Sequence, residues 1–323
     1  MGVSMNRTSF LVLVFFLGSI SLDVHASCGS ASCSLVTHFD TLGMNTSSGW
    51  QIDLRYEYIK QDQLRSGTHK AAKEFVNGEH TEIYTRNNNL VATLDYSPDE
   101  HWGISLQLPY VQREHYHIFD DAGTLEDETW NFHSPGDARL IGRYLLGTDP
   151  ANKIQTGVQL GLKLPTGRTD ETNTMGEEAE RSLQPGTGTT DLIAGYFRSE
   201  DMILFGFSGR GFMQLEAQSA VNEHDGYRAG NQFRLNSGLV VQPTDNVSPI
   251  LQVNLLIKGR DHGSNAEPDD SGGEYLWISP GLSKRLGHQG RIYGFVQLPL
   301  YQHVNGVQLT ADWNASVGLN WHL

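Results

Sequence analysis

Three sets of side chains in this sequence have the types and spacing to do chemistry. His262 and Ser264 are two positions apart and precede Asn265, so on a strand they would share one face, as a general base and a nucleophile must. Their neighbours are Asp261, Gly263 and Pro268-Asp269-Asp270, which read as a loop and would not hold the pair together. The expectation is therefore no catalytic residues and no enzyme. Cys28 and Cys33 are the two cysteines. In an oxidising compartment a pair this close most simply forms a local disulfide, with free thiols, a partner contact or a lipid-modified Cys28 as alternatives. A zinc site would need two more ligands at suitable spacing, and there is no Cys-x-x-Cys-His haem motif, so no metal and no cofactor are expected.

The third set is charged. Asp53, Arg55 and Glu57; Asp137, Arg139 and Arg143; Lys163; Arg210; Arg228 and Arg234; and Lys258 all occupy the polar positions of alternating segments. Basic groups outnumber acidic ones there, although the whole chain carries a net charge of -14, so the acidity must lie between the segments. If these faces surround a narrow, partly dehydrated space, they lower the energy of an anion inside it. The alternative is that the arginines pair with Asp53, Glu57, Asp95 and Asp137, bracing the wall and closing any path.

The elements that carry these faces are strands. From Val307 to Leu323 the odd positions Leu309, Ala311, Trp313, Ala315, Val317, Leu319, Trp321 and Leu323 are apolar, and most even ones are polar. A period of two over roughly 50 Å of extended chain is too long for an ordinary domain strand and suits one crossing a bilayer, with aromatic rings at the headgroup levels. A soluble sandwich would alternate similarly, but long apolar strands exposed to water aggregate. The same alternation recurs at Trp50 to Tyr58, Leu90 to Tyr96, Trp102 to Leu108, Ala138 to Leu146, Ile154 to Leu164 and onward. The facing of the strand after Gly273 is ambiguous. Short turns at Ser97-Pro98-Asp99-Glu100, Gly147 to Pro150, Ser199-Glu200-Asp201, Pro243 to Asn246 and Gly287 to Gly290 alternate with longer polar connections. An acidic loop is expected from Asp120 to Thr129. The longest loop, Thr166 to Thr190, reads as the least structured segment, and the connection at Asn305 is an exception to the sorting by being short. About twelve strands sorted this way predict an all-β, transmembrane, antiparallel up-and-down β-barrel.

Residues 1–26 read as a secretory signal, with Arg7 in the n-region, Phe10 to Leu17 as the h-region and Val24-His25-Ala26 at the cleavage site. No later apolar run approaches the length of a membrane helix. The expected organisation is signal peptide 1–26, periplasmic leader with the cysteine pair 27–48, and transmembrane barrel 49–323. Cleavage removes one basic and one acidic residue, Arg7 and Asp23, and so leaves the charge at -14, which argues against nucleic acid as a partner. The expected location is the bacterial outer membrane with both termini periplasmic. The expected partners are outer-membrane lipid and lipopolysaccharide, the barrel-assembly machinery and a small-molecule solute. The acidic loops offer either divalent-cation bridges to lipopolysaccharide or a solvated surface, without EF-hand spacing.

Three resemblances add to this. The closing strand resembles the C-terminal assembly signal of outer-membrane barrels, departing from it by ending in Leu323 rather than an aromatic residue. His262-Gly263-Ser264-Asn265 resembles the His-x-Ser-Asn stretch of lipid A deacylases, without their strand context. Gly136-Asp137, Leu164-Pro165-Thr166-Gly167, Pro185-Gly186-Thr187-Gly188, Ile278 to Leu282 and Leu298 to Tyr301 with Val304-Asn305-Gly306 together resemble an outer-membrane family named for the meta-cleavage pathway of phenol degradation. That resemblance implies an outer-membrane barrel for uptake of small organic or aromatic compounds and brings no catalytic residues. The expected function is a channel or facilitator for small solutes. A closed structural or adhesion barrel working through acidic loops is the alternative, and a lipid hydrolase the third reading.

Overall fold

Period-two alternation becomes strand here with the polar set turned inward. In the segment Gly49–Gly67, Gln51, Asp53, Arg55 and Glu57 are buried, whereas Trp50, Leu54 and Tyr56 are exposed. A water-soluble sandwich shows the reverse; apolar outside and polar inside is the pattern of a barrel whose outer face meets lipid.

A computed structural model describes residues 27–28, 35–37, 48–74, 80–149, 154–204, 206–242 and 246–323. The strands are β1 (Ser27–Cys28), β2 (Gly49–Gly67), β3 (His69–Lys70), β4 (His80–Ser97), β5 (Trp102–Asp121), β6 (Thr124–Pro135) and β7 (Ala138–Asp149). They continue as β8 (Ile154–Leu164), β9 (Asp191–Leu204), β10 (Phe207–Ala220), β11 (Gln232–Val241), β12 (Val247–Lys258), β13 (Gly273–Leu286) and β14 (Gly290–His322). Neighbours pair antiparallel from β2 through β4, β5 and β7 to β14, and β14 pairs back on β2, which closes the barrel.

β14 is two passes of the wall. Its first half pairs with β13 and its second with β2. The turn is at Gly306, whose φ of 57° suits glycine, and at the far end the His322 amide donates to the Gln289 carbonyl at 2.9 Å. The eleven barrel elements therefore make twelve passes. Such closure leaves no edge unpaired, as a bilayer requires of backbone amides. Trp50 stacks near Tyr96 at 4.5 Å and Trp102 near Tyr144 at 4.6 Å at the short-turn end, while Tyr58 and Trp313 meet at 5.5 Å farther along the same outer face. Trp50 to Tyr58 spans about 26 Å of strand, or roughly 20 Å of height at a tilt of about 40°, most of the apolar band of about 25 Å in outer-membrane barrels.

The expected acidic loop at Asp120 to Thr129 is instead a hairpin. β5 turns through Ala122 and Gly123, both at positive φ (49° and 88°), straight into β6. The run Glu126-Asp127-Glu128 has loop composition, but cross-strand pairing with β5 fixes it as strand. β6 and β7 both pair with β5 but with a one-residue offset, Tyr110 lying opposite Pro135 and Gln107 opposite Arg139. They are one descending pass interrupted at Gly136-Asp137.

The 165–190 loop enters at that interruption, and it is ordered, correcting the sequence expectation. The Asp137 carboxylate accepts hydrogen bonds from Lys163 Nζ (2.8 Å), Gly167 N (3.0 Å), Thr187 N (2.9 Å) and Thr187 Oγ1 (2.9 Å). Lys163 also reaches Asp191 at 3.2 Å and the Thr189 carbonyl at 2.8 Å. The two arms of the loop touch backbone to backbone: a Cβ on Gly167 would lie 2.6 Å from the Gly186 Cα, so a side chain at either glycine would part them. Beyond this neck, Ala179 and Leu183 pack on inward-facing Leu64, Trp130, Phe132 and Leu309. The loop thus folds into the mouth of the barrel.

Candidate functional site

Inside the wall lies a cavity of about 350 Å³. Strands β2, β5, β7, β8, β10 and β11 and the β7 entry supply its charged lining: Arg55, Arg113, Arg139, Arg143, Lys163 and Arg234 against Glu57, Asp137 and Glu216. Six cationic groups face three anionic ones. Their pairing is uneven. Asp137 and Lys163 are committed to the loop neck. Arg55 Nε donates to Glu57 at 2.9 Å. Arg139 and Arg234 share the single carboxylate of Glu216, at 2.6 and 2.8 Å. Two guanidiniums on one carboxylate leave an uncompensated positive charge, and the buried Nε of Arg139 has no hydrogen-bond partner among the described residues. A partly dehydrated site with spare N–H donors and excess positive charge is suited to an anion.

Both ends of this cavity are occupied. On one side Leu35-Val36-Thr37, from the segment read as a leader, lies within the barrel. Gln252 holds the Val36 backbone with both ends of its amide, accepting from Val36 N at 3.2 Å and donating to Val36 O at 2.9 Å. Val36 packs with Phe212, Val240, Ile250, Tyr293 and Phe295, all inward-facing, and Leu35 lies against that cluster. On the other side the 165–190 loop fills the mouth, and Arg113 donates to the Leu183 carbonyl. β1 forms a short parallel pairing, Ser27 with Gln308 and Cys28 with Leu309.

Seven of the eleven charged residues read from sequence as facing the lumen therefore line one cavity: Arg55, Glu57, Asp137, Arg139, Arg143, Lys163 and Arg234. Asp53 is buried beside it and accepts from the Tyr293 hydroxyl at 2.8 Å. Arg210 is held away from it by Asp201 (2.9 Å) and Gln155 (3.0 Å), and Lys258 by Asp261 (3.1 Å). Arg228 is exposed in the 221–231 connection, where its backbone bridges His262, because β11 begins only at Gln232. His262 and Ser264 lie in the 259–272 connection with Gly263 at φ 116° between them, and among the described residues no hydrogen bond joins their side chains. Cys33 and the signal segment 1–26 lie outside the described residues, and so does the Cys28–Cys33 disulfide reading.

The mouth holds a cluster the sequence reading missed. His80 on β4, His117 on β5 and Glu128 on β6 bring their ligating atoms within 4.8 Å of one another. They line a space of about 300 Å³ shared with Glu177, Glu178 and Glu180 of the inserted loop and with Glu267. Burial, then repulsion from Glu267, holds the Glu180 carboxyl well above the usual carboxylate range. Burial, then repulsion from Asp270 and Asp261, pushes Glu267 up to about 7. The clue to the cluster was His115-x-His117, a period-two pair whose partner Glu128 was hidden in a run taken for loop.

Among solved structures the chain is similar to an outer membrane channel from Pseudomonas putida F1, at 13% identity and a TM-score of 0.63, covering 86% of this chain and 97% of that one. The fold is that of an outer-membrane β-barrel. The barrel is also similar to the NanC porin, at 10% identity and a TM-score of 0.47, covering 84% of this chain and 100% of that one. No family model matches the chain, and no curated protein matches it in sequence.

Proposed function

We propose that this protein sits in the bacterial outer membrane with both termini in the periplasm and acts as a channel or facilitator for small anionic or polar solutes. The apolar outer band and the aromatic pairs at both of its edges support the membrane location. The observation that carries the channel reading is the excess of cationic groups around the 350 Å³ cavity, centred on Arg139 and Arg234 with their shared Glu216. A small carboxylate placed there would take the place of lumen water as a guanidinium partner. Aromatic acids, which join a ring to a carboxylate, would bring the family resemblance and the cavity chemistry together. The Pseudomonas structure, named as a channel, supports the reading through its fold.

Leu35-Val36 lies on one side of the cavity and the 171–184 tip of the loop on the other. Planar-bilayer recordings of the full chain in a potassium chloride gradient test the proposal. Channel events with a reversal potential on the chloride side are expected. Cation preference overturns the anionic reading. Absence of events, even after the loop tip is removed, leaves the closed structural barrel as the function.

A further inference from the structure

We infer that His80, His117 and Glu128 form a binding site for a divalent transition metal of the zinc class at the mouth of the barrel. The inference goes beyond the channel reading and does not depend on it.

The register builds the site. His117 is directly opposite Glu128 across the β5–β6 pair, and His80 lies near on β4, where its backbone pairs with Phe119. Directly opposed residues on one sheet face have Cβ atoms about 5 Å apart, which places imidazole and carboxylate tips together. His117 Nε2 is hydrogen-bonded to Glu128 Oε2, and His80 Nδ1 lies 3.7 Å from that same oxygen. The His80 and His117 rings are 4.7 Å apart. Trp130 stands edge-on to His117 at 4.7 Å and Phe119 stacks on His80 at 4.6 Å, so both imidazoles are held by aromatic neighbours. Ligand atoms about 2.1 Å from a tetrahedral zinc stand about 3.4 Å apart, so binding requires the widest edge to close by no more than about 1.4 Å.

The donor set selects the metal. Two imidazoles and one carboxylate suit zinc and its first-row neighbours, whereas calcium and magnesium prefer oxygen alone. Three protein ligands would leave a position open on a bound metal, and Glu177, Glu178 and Glu180 line the same space. Buried Oε2 atoms of Glu180 and Glu267 have no hydrogen-bond partner among the described residues, so this space holds oxygen atoms that a bound cation or its water would engage.

The test is zinc binding to the full chain in detergent, by calorimetry and by competition with a chromogenic chelator, with magnesium as the control ion. One zinc per chain is expected, unaffected by excess magnesium, with X-ray absorption showing two imidazoles and at least one oxygen. His117→Ala and His80→Ala should each weaken binding by at least about tenfold, while His262→Ala, which is not among the residues lining that space, leaves it unchanged. Heat-modifiable gel migration reports whether each variant is folded. If His117→Ala does not fold, His80→Ala at the start of β4 carries the test. Zinc binding unaltered by the folded variants, binding no tighter than that of magnesium, or an absorption spectrum without imidazole scattering would each overturn the assignment.

Discussion

The waist and the mouth of this barrel are built from the same kinds of side chain with opposite bias. At the waist, arginines outnumber carboxylates, and Arg139 and Arg234 share Glu216. At the mouth, Glu128, Glu177, Glu178, Glu180 and Glu267 crowd His80, His115 and His117, and burial raises Glu180 and Glu267 instead of pairing them. The waist therefore carries an excess of basic groups, and the mouth an excess of carboxyl groups. Charge sign is separated along the axis although the chain as a whole is acidic, so a net charge of -14 says nothing about the polarity of the lumen.

The largest effect that bears on this contrast should come from removing the mouth. Replacing residues 171–184 by a short Gly-Ser linker should raise single-channel conductance roughly severalfold, because the apolar tip at Ala179 and Leu183 then no longer fills the opening. If conductance does not change, the constriction is at Leu35-Val36, and the contrast has the wrong gate.

At the waist, Arg139→Gln with Arg234→Gln should lower the chloride-to-potassium permeability ratio. Glu216→Gln is added so that no carboxylate is left buried and unpaired, which would cost about 3–5 kcal/mol. An unaltered ratio would mean that the shared carboxylate does not set selectivity.

The mouth should also respond to pH. Glu267 holds its proton up to about 7 when packed, against 4.5 for the free group, so the packed form binds more protons between those values. Loop packing is then strongest below about 4.5, weakens as pH rises and levels off above about 7. Protease nicking of residues 171–184, measured with zinc chelated, should rise across that window. Glu267→Gln should flatten the profile.

The smallest effect is at Gln252, whose amide grips the Val36 backbone. Gln252→Ala should free Leu35-Val36 at a cost of about 1–3 kcal/mol in docking. Proteolysis of the leader should reveal it while the unfolding temperature of the barrel is unchanged.

The architecture was legible because side-chain period two survives in most passes, from Trp50-Ile52-Leu54 to Leu319-Trp321. The lumen charges were legible for the same reason wherever a strand was bounded correctly. Two things were hidden. Acidic composition masked β6, because an exposed hairpin above a membrane needs no apolar face, and with β6 went Glu128. The occupants of the lumen were hidden because their contacts are non-local, yet they left a trace. Phe212, Val240, Ile250, Tyr293 and Phe295 are apolar residues on faces that should be polar, and they are where Leu35-Val36 docks. Tyr275 and Trp277 made the facing of β13 ambiguous in the same way; they turn inward to pack with Leu256 and Val304.

The neck at Gly167 and Gly186 has a mechanical consequence. Its two arms are clamped to one carboxylate on the strand they interrupt, so the twenty or so residues above it form a lobe attached at a single narrow stalk. Such a lobe leaves the bore by giving up the packing of Ala179 and Leu183 and the Arg113–Leu183 hydrogen bond, while every ladder bond of β8 and β9 stays in place. Displacing the lobe would then leave the strand framework unstrained.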